Sequence, residues 1–95
     1  MRVRWTSQAE QDRAEILIHI ASDNVRAAVA MDELFSASAA RLADFPRLGK
    51  PGLVVGTRQL IAHESYRLVY EIDEADRTVW ILALIHTALA WPPKH

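Results

Sequence analysis

An α+β fold in the order β-α-α-β-β-β, with a helical hairpin packed on a small, mainly antiparallel sheet, is what this sequence of 95 residues predicts. Three observations carry the expectation. Two segments with helical apolar spacing are separated only by Ser22-Asp23-Asn24, which makes them an antiparallel helical pair. Three apolar runs in the second half are divided by turn residues, as in a β-meander. The first residues alternate between basic and apolar, the period of a strand.

In Arg2 to Thr6, Val3 and Trp5 share one face and form the first strand. Ser7-Gln8-Ala9-Glu10 then reads as a capping box, with Ser7 closing the Ala9 or Glu10 amide. In the first helix Ala9, Arg13, Ile16, Leu17 and Ile20 recur on one stripe. Glu10, Gln11, Asp12 and Glu15 fall on the wet side. Ser22 to Asn24 end this helix and cap the next, because short polar side chains compete for backbone hydrogen bonds. The second helix is expected from about Val25 to Asp44, with Ala28, Met31, Phe35, Ser38, Leu42 and Phe45 on one stripe and Leu34 beside it. Phe45-Pro46 stops it. Pro46 to Val55 concentrates glycine and proline and reads as an exposed loop. The meander strands are expected at Val54 to Ala62, Tyr66 to Ile72 and Thr78 to Ile85, divided by an acidic turn at Asp73 to Asp76. The last strand is apolar on both faces, so it should have neighbours on both sides.

The length fits a single domain spanning residues 1–95, with a modest core. The sequence has no cysteine, which removes disulfides and thiolate chemistry and is compatible with a reducing compartment. No apolar run approaches the roughly 20 residues of a membrane span, and Met1-Arg-Val-Arg-Trp does not open like a secretory signal. A cytoplasmic protein is expected. The formal net charge is −1, yet Phe45 to Tyr70 holds Arg47, Lys50, Arg58 and Arg67 against one acid, Glu64. That asymmetry points to a polyanionic or acidic partner.

Read together, Phe45-Pro46-Arg47-Leu48-Gly49-Lys50-Pro51-Gly52, Gly56-Thr57-Arg58-Gln59-Leu60, Tyr66-Arg67-Leu68-Val69-Tyr70 and the closing His86-Thr87-Ala88 with Trp91-Pro92 resemble the RelE/ParE superfamily of toxins from bacterial type II toxin-antitoxin pairs. The resemblance runs over essentially the whole chain. It implies a cognate antitoxin, bound through an amphipathic segment in a toxin-antitoxin hetero-oligomer. It also implies one of two actions, the ribosome-dependent nuclease being the expected one and gyrase inhibition the alternative. RelE-like members are metal-independent, ribosome-dependent mRNA endonucleases in which basic side chains orient the 2′-OH attack and steady the phosphate. ParE-like members keep the fold, largely lose those residues and inhibit DNA gyrase. The Tyr66 to Tyr70 strand looks RelE-like, whereas the Phe-Pro loop and Gly-Thr-Arg-x-Leu look equally ParE-like.

On the nuclease alignment, Arg58, Arg67, His86 and the position of Leu89 are the catalytic candidates. Arg67 falls on the catalytic arginine of the RelE strand, and its alternative is a surface ion pair with Glu71 or Glu64. Arg58 falls near a second basic position. His86 is a candidate general acid or base, or a histidine that closes the strand end. Relatives commonly read His-x-Ala-Arg-x-Trp here, and Leu89 stands at that arginine. Leucine cannot donate to a phosphate, so the expected consequence is a weakened toxin; alternatively Leu89 packs and the partner surface lies elsewhere. Arg47, Lys50 and Trp91 are candidates for RNA or target contact, Trp91 by stacking on a base or, instead, by closing the core. Trp5 and Trp80 are expected in the core, and His63 on a surface turn. His19 and the tail residue His95 lack ligand spacing, and neither a metal nor another cofactor is expected.

Overall fold

A computed structural model describes residues 1–93; His95 lies outside them. The order is β1 (Arg2–Trp5), α1 (Ser7–Asp23), α2 (Val25–Asp44), β2 (Lys50–Pro51), β3 (Thr57–His63), β4 (Tyr66–Asp73) and β5 (Thr78–His86). The five strands form one sheet in the order β1-β5-β4-β3-β2, with β1 parallel to β5 and the other pairs antiparallel. Both helices lie on one face. Phe35, Ala39 and Leu42 of α2 and Ala9 of α1 meet Leu60, Leu68, Tyr70, Val79, Ile81 and Leu84 in the core.

The strand β5 has β1 on one side and β4 on the other, as its two-faced apolar pattern requires. Its pairing with β1 ends at Trp5 opposite Ile81. Beyond that point the backbone of β5 is completed by side chains and by the chain entering α1. The Thr6 amide donates to the Ile81 carbonyl at 3.0 Å, the Thr6 hydroxyl to the Leu82 carbonyl at 3.3 Å, and the Leu84 amide to Asp12 Oδ2 at 3.1 Å. Asp12 is therefore not on the wet face of α1. It turns inward because an otherwise unpaired buried strand amide needs an acceptor.

The expected capping box is also corrected. The cap of α1 is Thr6, whose hydroxyl accepts the Ala9 amide at 3.1 Å; Ser7 is already helical and exposed. Thr6 holds extended angles because its amide still donates to the Ile81 carbonyl of β5, and the helix begins at Ser7, one residue earlier than a Ser7 cap would place it. Asn24 ends α1 and caps α2 in one residue: its amide donates to Ile20 and its side chain accepts from Ala27 at 3.0 Å. Arg13, on the stripe of α1 that faces α2, ties the hairpin. Its guanidinium donates to Asp32 Oδ1 at 2.7 Å, to the Asp32 carbonyl at 3.0 Å and to Ser36 Oγ at 2.6 Å, and lies 4.8 Å from the Trp5 ring.

Phe45 leaves the stripe of α2: as the C-cap it departs from helical angles and is 64% exposed. Leu34 also faces solvent. The segment expected to be a plain loop contains β2, a two-residue edge strand pairing Lys50 with Gln59 and Pro51 with Arg58. Proline is tolerated there because the outer side of an edge needs no amide donor. The first meander strand starts at Thr57, after a turn in which the Thr57 hydroxyl donates to the Val54 carbonyl at 2.7 Å. Trp5 and Trp80 are half-buried; Trp5 packs against the core from its side, and Trp80 sits opposite Arg4 and Glu71 on the sheet face away from the helices. His63 closes β3, half-buried, and its Nδ1 accepts the Ser65 amide at 3.0 Å.

Replacing Asp12 by Ala leaves the Leu84 amide without an acceptor. The expected cost is about 1–3 kcal/mol in chemical denaturation, with faster hydrogen exchange at Leu84. Gln11→Ala on the exposed face should change stability by less than about 0.5 kcal/mol.

Candidate functional site

The basic segment that the sequence marks out is built around the phenol of Tyr70. Tyr70 is fully buried in β4, and its hydroxyl reaches the segment after α2: it donates to the Pro46 carbonyl at 2.7 Å and accepts the Gly49 amide at 2.9 Å. Opposite Tyr70 in the ladder is Arg58, on the same face. Its Nε donates to the Gly49 carbonyl at 3.0 Å and its Nη2 to the Arg47 carbonyl at 3.2 Å. Gly49 is pressed between these partners, since a Cβ there would lie 2.6 Å from the Gln59 carbonyl and 2.8 Å from the Tyr70 ring. Arg58 thus holds the loop by donating to two of its backbone carbonyls. Arg47 is exposed and paired with Glu74 from the β4–β5 turn.

Arg67 occupies the other face. It pairs with Ile61 in β3 and Ile85 in β5, whereas Arg58 pairs with the core residue Tyr70, so the two guanidinium groups leave the sheet on opposite sides. Among the described residues Arg67 forms no ion pair with Glu71 or Glu64. Its Nη2 donates to the Leu89 carbonyl and its Nε is buried without a partner. Lys50, opposite Gln59, shares this face. An open cleft of about 380 Å³ is lined by Leu48, Lys50, Gln59, Ile61 and Arg67 among others. Of the four basic residues in this stretch, Lys50 and Arg67 line this cleft, whereas Arg58 reaches the Arg47 carbonyl in the loop.

The third group sits at the end of β5. His86 is exposed, its Nδ1 accepts the Ala88 amide at 3.0 Å, and its ring stands edge-on to Tyr66 at 5.6 Å. The Leu89 side chain is 59% exposed and lines a groove of about 440 Å³ with Asp12, Glu15, Ile16, His19, Tyr66 and His86. The arginine of related motifs, placed here, would face two carboxylates of α1. Trp91 is half-buried and lines a small groove with Gln8, Asp12, Ala83 and Ile85. No group of three His, Cys, Asp or Glu side chains among the described residues is placed to hold a metal.

Sequence reasoning did not find the role of Tyr70, which reads there only as a core strand residue. Nor did it find the groove carboxylates Asp12 and Glu15. In the loop expected to be exposed, Leu53 and Val55 are 84% and 99% accessible.

Comparison with known proteins places this geometry among toxins. The profile of the family described as the ParE toxin of type II toxin-antitoxin system, parDE, matches residues 3–91. The chain is 34% identical over 92 residues to the curated toxin candidate Y4kP of Sinorhizobium fredii, covering 96% of this chain and 93% of that one. Its fold is similar to that in the chromosomal ParDE toxin-antitoxin system from P. aeruginosa, with a TM-score of 0.77 at 19% identity. It is also similar to the toxin-antitoxin complex RelBE2 from Mycobacterium tuberculosis, with a TM-score of 0.62 at 31% identity. Each match covers 90% of this chain and 95% of the other.

Two substitutions probe this arrangement. Tyr70→Phe removes both loop anchors and leaves the Gly49 amide unpaired, so urea unfolding should report a loss of about 1–3 kcal/mol. Leu89→Arg should gain a few tenths of a kcal/mol of thermal stability at low salt from the facing carboxylates, and lose that gain in molar salt.

Proposed function

The chain belongs to the ParE toxin family of type II toxin-antitoxin systems, and from that membership we propose that it acts on its target by binding, as an inhibitor of DNA gyrase restrained by a cognate antitoxin. The observation that carries this reading is the division of the basic residues. A ribonuclease without a metal needs several cationic or proton-transferring groups converging on one phosphate. Here Arg58 and Arg67 leave opposite faces of the sheet and each donates to backbone carbonyls. Leu89 contributes no donor, and His86 turns one ring nitrogen to its own turn. What remains is a rigid scaffold with exposed surfaces, which suits inhibition by association.

The antitoxin has a matching surface on the helical hairpin. Ile18, Val25 and Val29 are 70%, 66% and 54% exposed and form an apolar strip with Leu17, Ala21 and Ala28. An amphipathic segment can lay its apolar face along such a strip. A toxin-antitoxin hetero-oligomer follows from that contact. The ribosome-dependent nuclease stays as the second reading because Arg67 and Lys50 share a cleft on one face.

Two assays with the purified chain separate these actions. Supercoiling by DNA gyrase should fall as the chain is added and recover with the cognate antitoxin, while ribosomes programmed with a defined message should yield no codon-phased cuts by primer extension. Phased cuts with supercoiling untouched would establish the nuclease instead.

A further inference from the structure

The loop between α2 and β3 displays apolar side chains in a way that neither the core nor the hairpin strip accounts for. Leu53 is 84% and Val55 99% exposed, and Phe45 and Leu48 are 64% and 40% exposed at the base of the same loop. Large aliphatic side chains held this far into water are unfavourable unless a partner covers them. The loop is also held in one shape. Tyr70, Arg58 and Gly49 fix its first half; the Gly52 amide donates to the Thr57 carbonyl at 2.8 Å and the Thr57 amide to the Val54 carbonyl at 3.0 Å, fixing its tip. A rigid apolar tip loses little conformational freedom on association.

The charge around it selects the partner. Residues 45–63 hold three basic residues and no acidic one. Arg58 is spent on the loop carbonyls and Arg47 is paired with Glu74, which leaves Lys50 beside the tip. Lys50, with Arg67 across the cleft already donating to the Leu89 carbonyl, and aliphatic neighbours make a poor footprint for a nucleic acid, which calls for several phosphate contacts and aromatic or planar groups for bases. It fits a protein surface with an apolar pocket edged by carboxylates. The hairpin strip is a separate surface: Val29 and Phe45 are sixteen residues apart on or at the end of α2, about 24 Å along a helix.

We propose that the rigid 45–55 loop is the surface by which this chain docks onto its protein target, with Leu53 and Val55 entering an apolar pocket and Lys50 meeting carboxylates at its rim, apart from the antitoxin surface. This rests on the reading that the chain acts by binding.

The test is the double variant Leu53→Asp/Val55→Asp, whose positions are solvated enough that thermal unfolding should be unchanged. Growth arrest on induced expression, inhibition of purified DNA gyrase and affinity for the purified cognate antitoxin are measured for it and for the parent chain. At least a tenfold loss of arrest and of gyrase inhibition, with antitoxin affinity within twofold, is the expected result. If the parent inhibits gyrase and the variant matches it, the loop proposal falls while the gyrase reading stands. If the parent leaves gyrase untouched, the gyrase reading falls, and the growth assay decides the loop alone: undiminished arrest overturns it, and lost arrest supports it for another protein target. Loss of antitoxin affinity would assign the loop to the antitoxin and overturn the proposal. So would codon-phased mRNA cuts that the variant no longer makes.

Discussion

The completion of the β5 edge constrains everything upstream of it. β5 is buried on both faces along most of its length, so each backbone group on its outer edge needs a partner. The four residues of β1 supply part of that edge, and Thr6 and Asp12 supply the next part by direct hydrogen bonds. Because Asp12 is in the second turn of α1, the same bonds orient the helix against the sheet. Arg13, one residue on, then carries that orientation to α2 through Asp32 and Ser36. A single register along one strand thereby places the hairpin and its exposed apolar strip.

A second constraint works on the same face, toward the opposite edge of the sheet. The buried Tyr70 hydroxyl sits among apolar neighbours and is satisfied only by the backbone of the segment after α2. Arg58 adds two further bonds to that backbone. The segment is consequently an ordered shelf, with β2 on its far side pairing to β3. This explains how a glycine- and proline-rich stretch can hold Leu53 and Val55 outward. It also gives Arg58 the task of holding the loop backbone.

These two constraints favour a division of surfaces. The hairpin offers an apolar strip suited to an amphipathic segment, the 45–55 loop a rigid tip with one cation, and the sheet face opposite the helices a cleft with Arg67 and Lys50. A toxin that must be both restrained and released benefits when the restraining contact and the acting contact are physically distinct, because each can then be tuned without loss of the other.

The sequence by itself determined the α+β order, the span of α2, the three main strands and the family, because those depend on local periodicity, turn residues and short motifs that survive without tertiary contacts. It also located the basic segment, since charge is read directly from composition. What it did not contain was the strand register that sets Arg58 opposite Tyr70, or the partners to which either arginine would bond. Arg58 and Arg67 look alike along the chain, yet strand register puts one over the helix side and the other over the open side. Nor did it contain the inward turn of Asp12, the cap at Thr6 in place of Ser7, or the β2 edge strand. Each of these is decided by a backbone group more than a helical turn away, or by a neighbouring strand, whose unpaired donor or acceptor exists only once the sheet has formed.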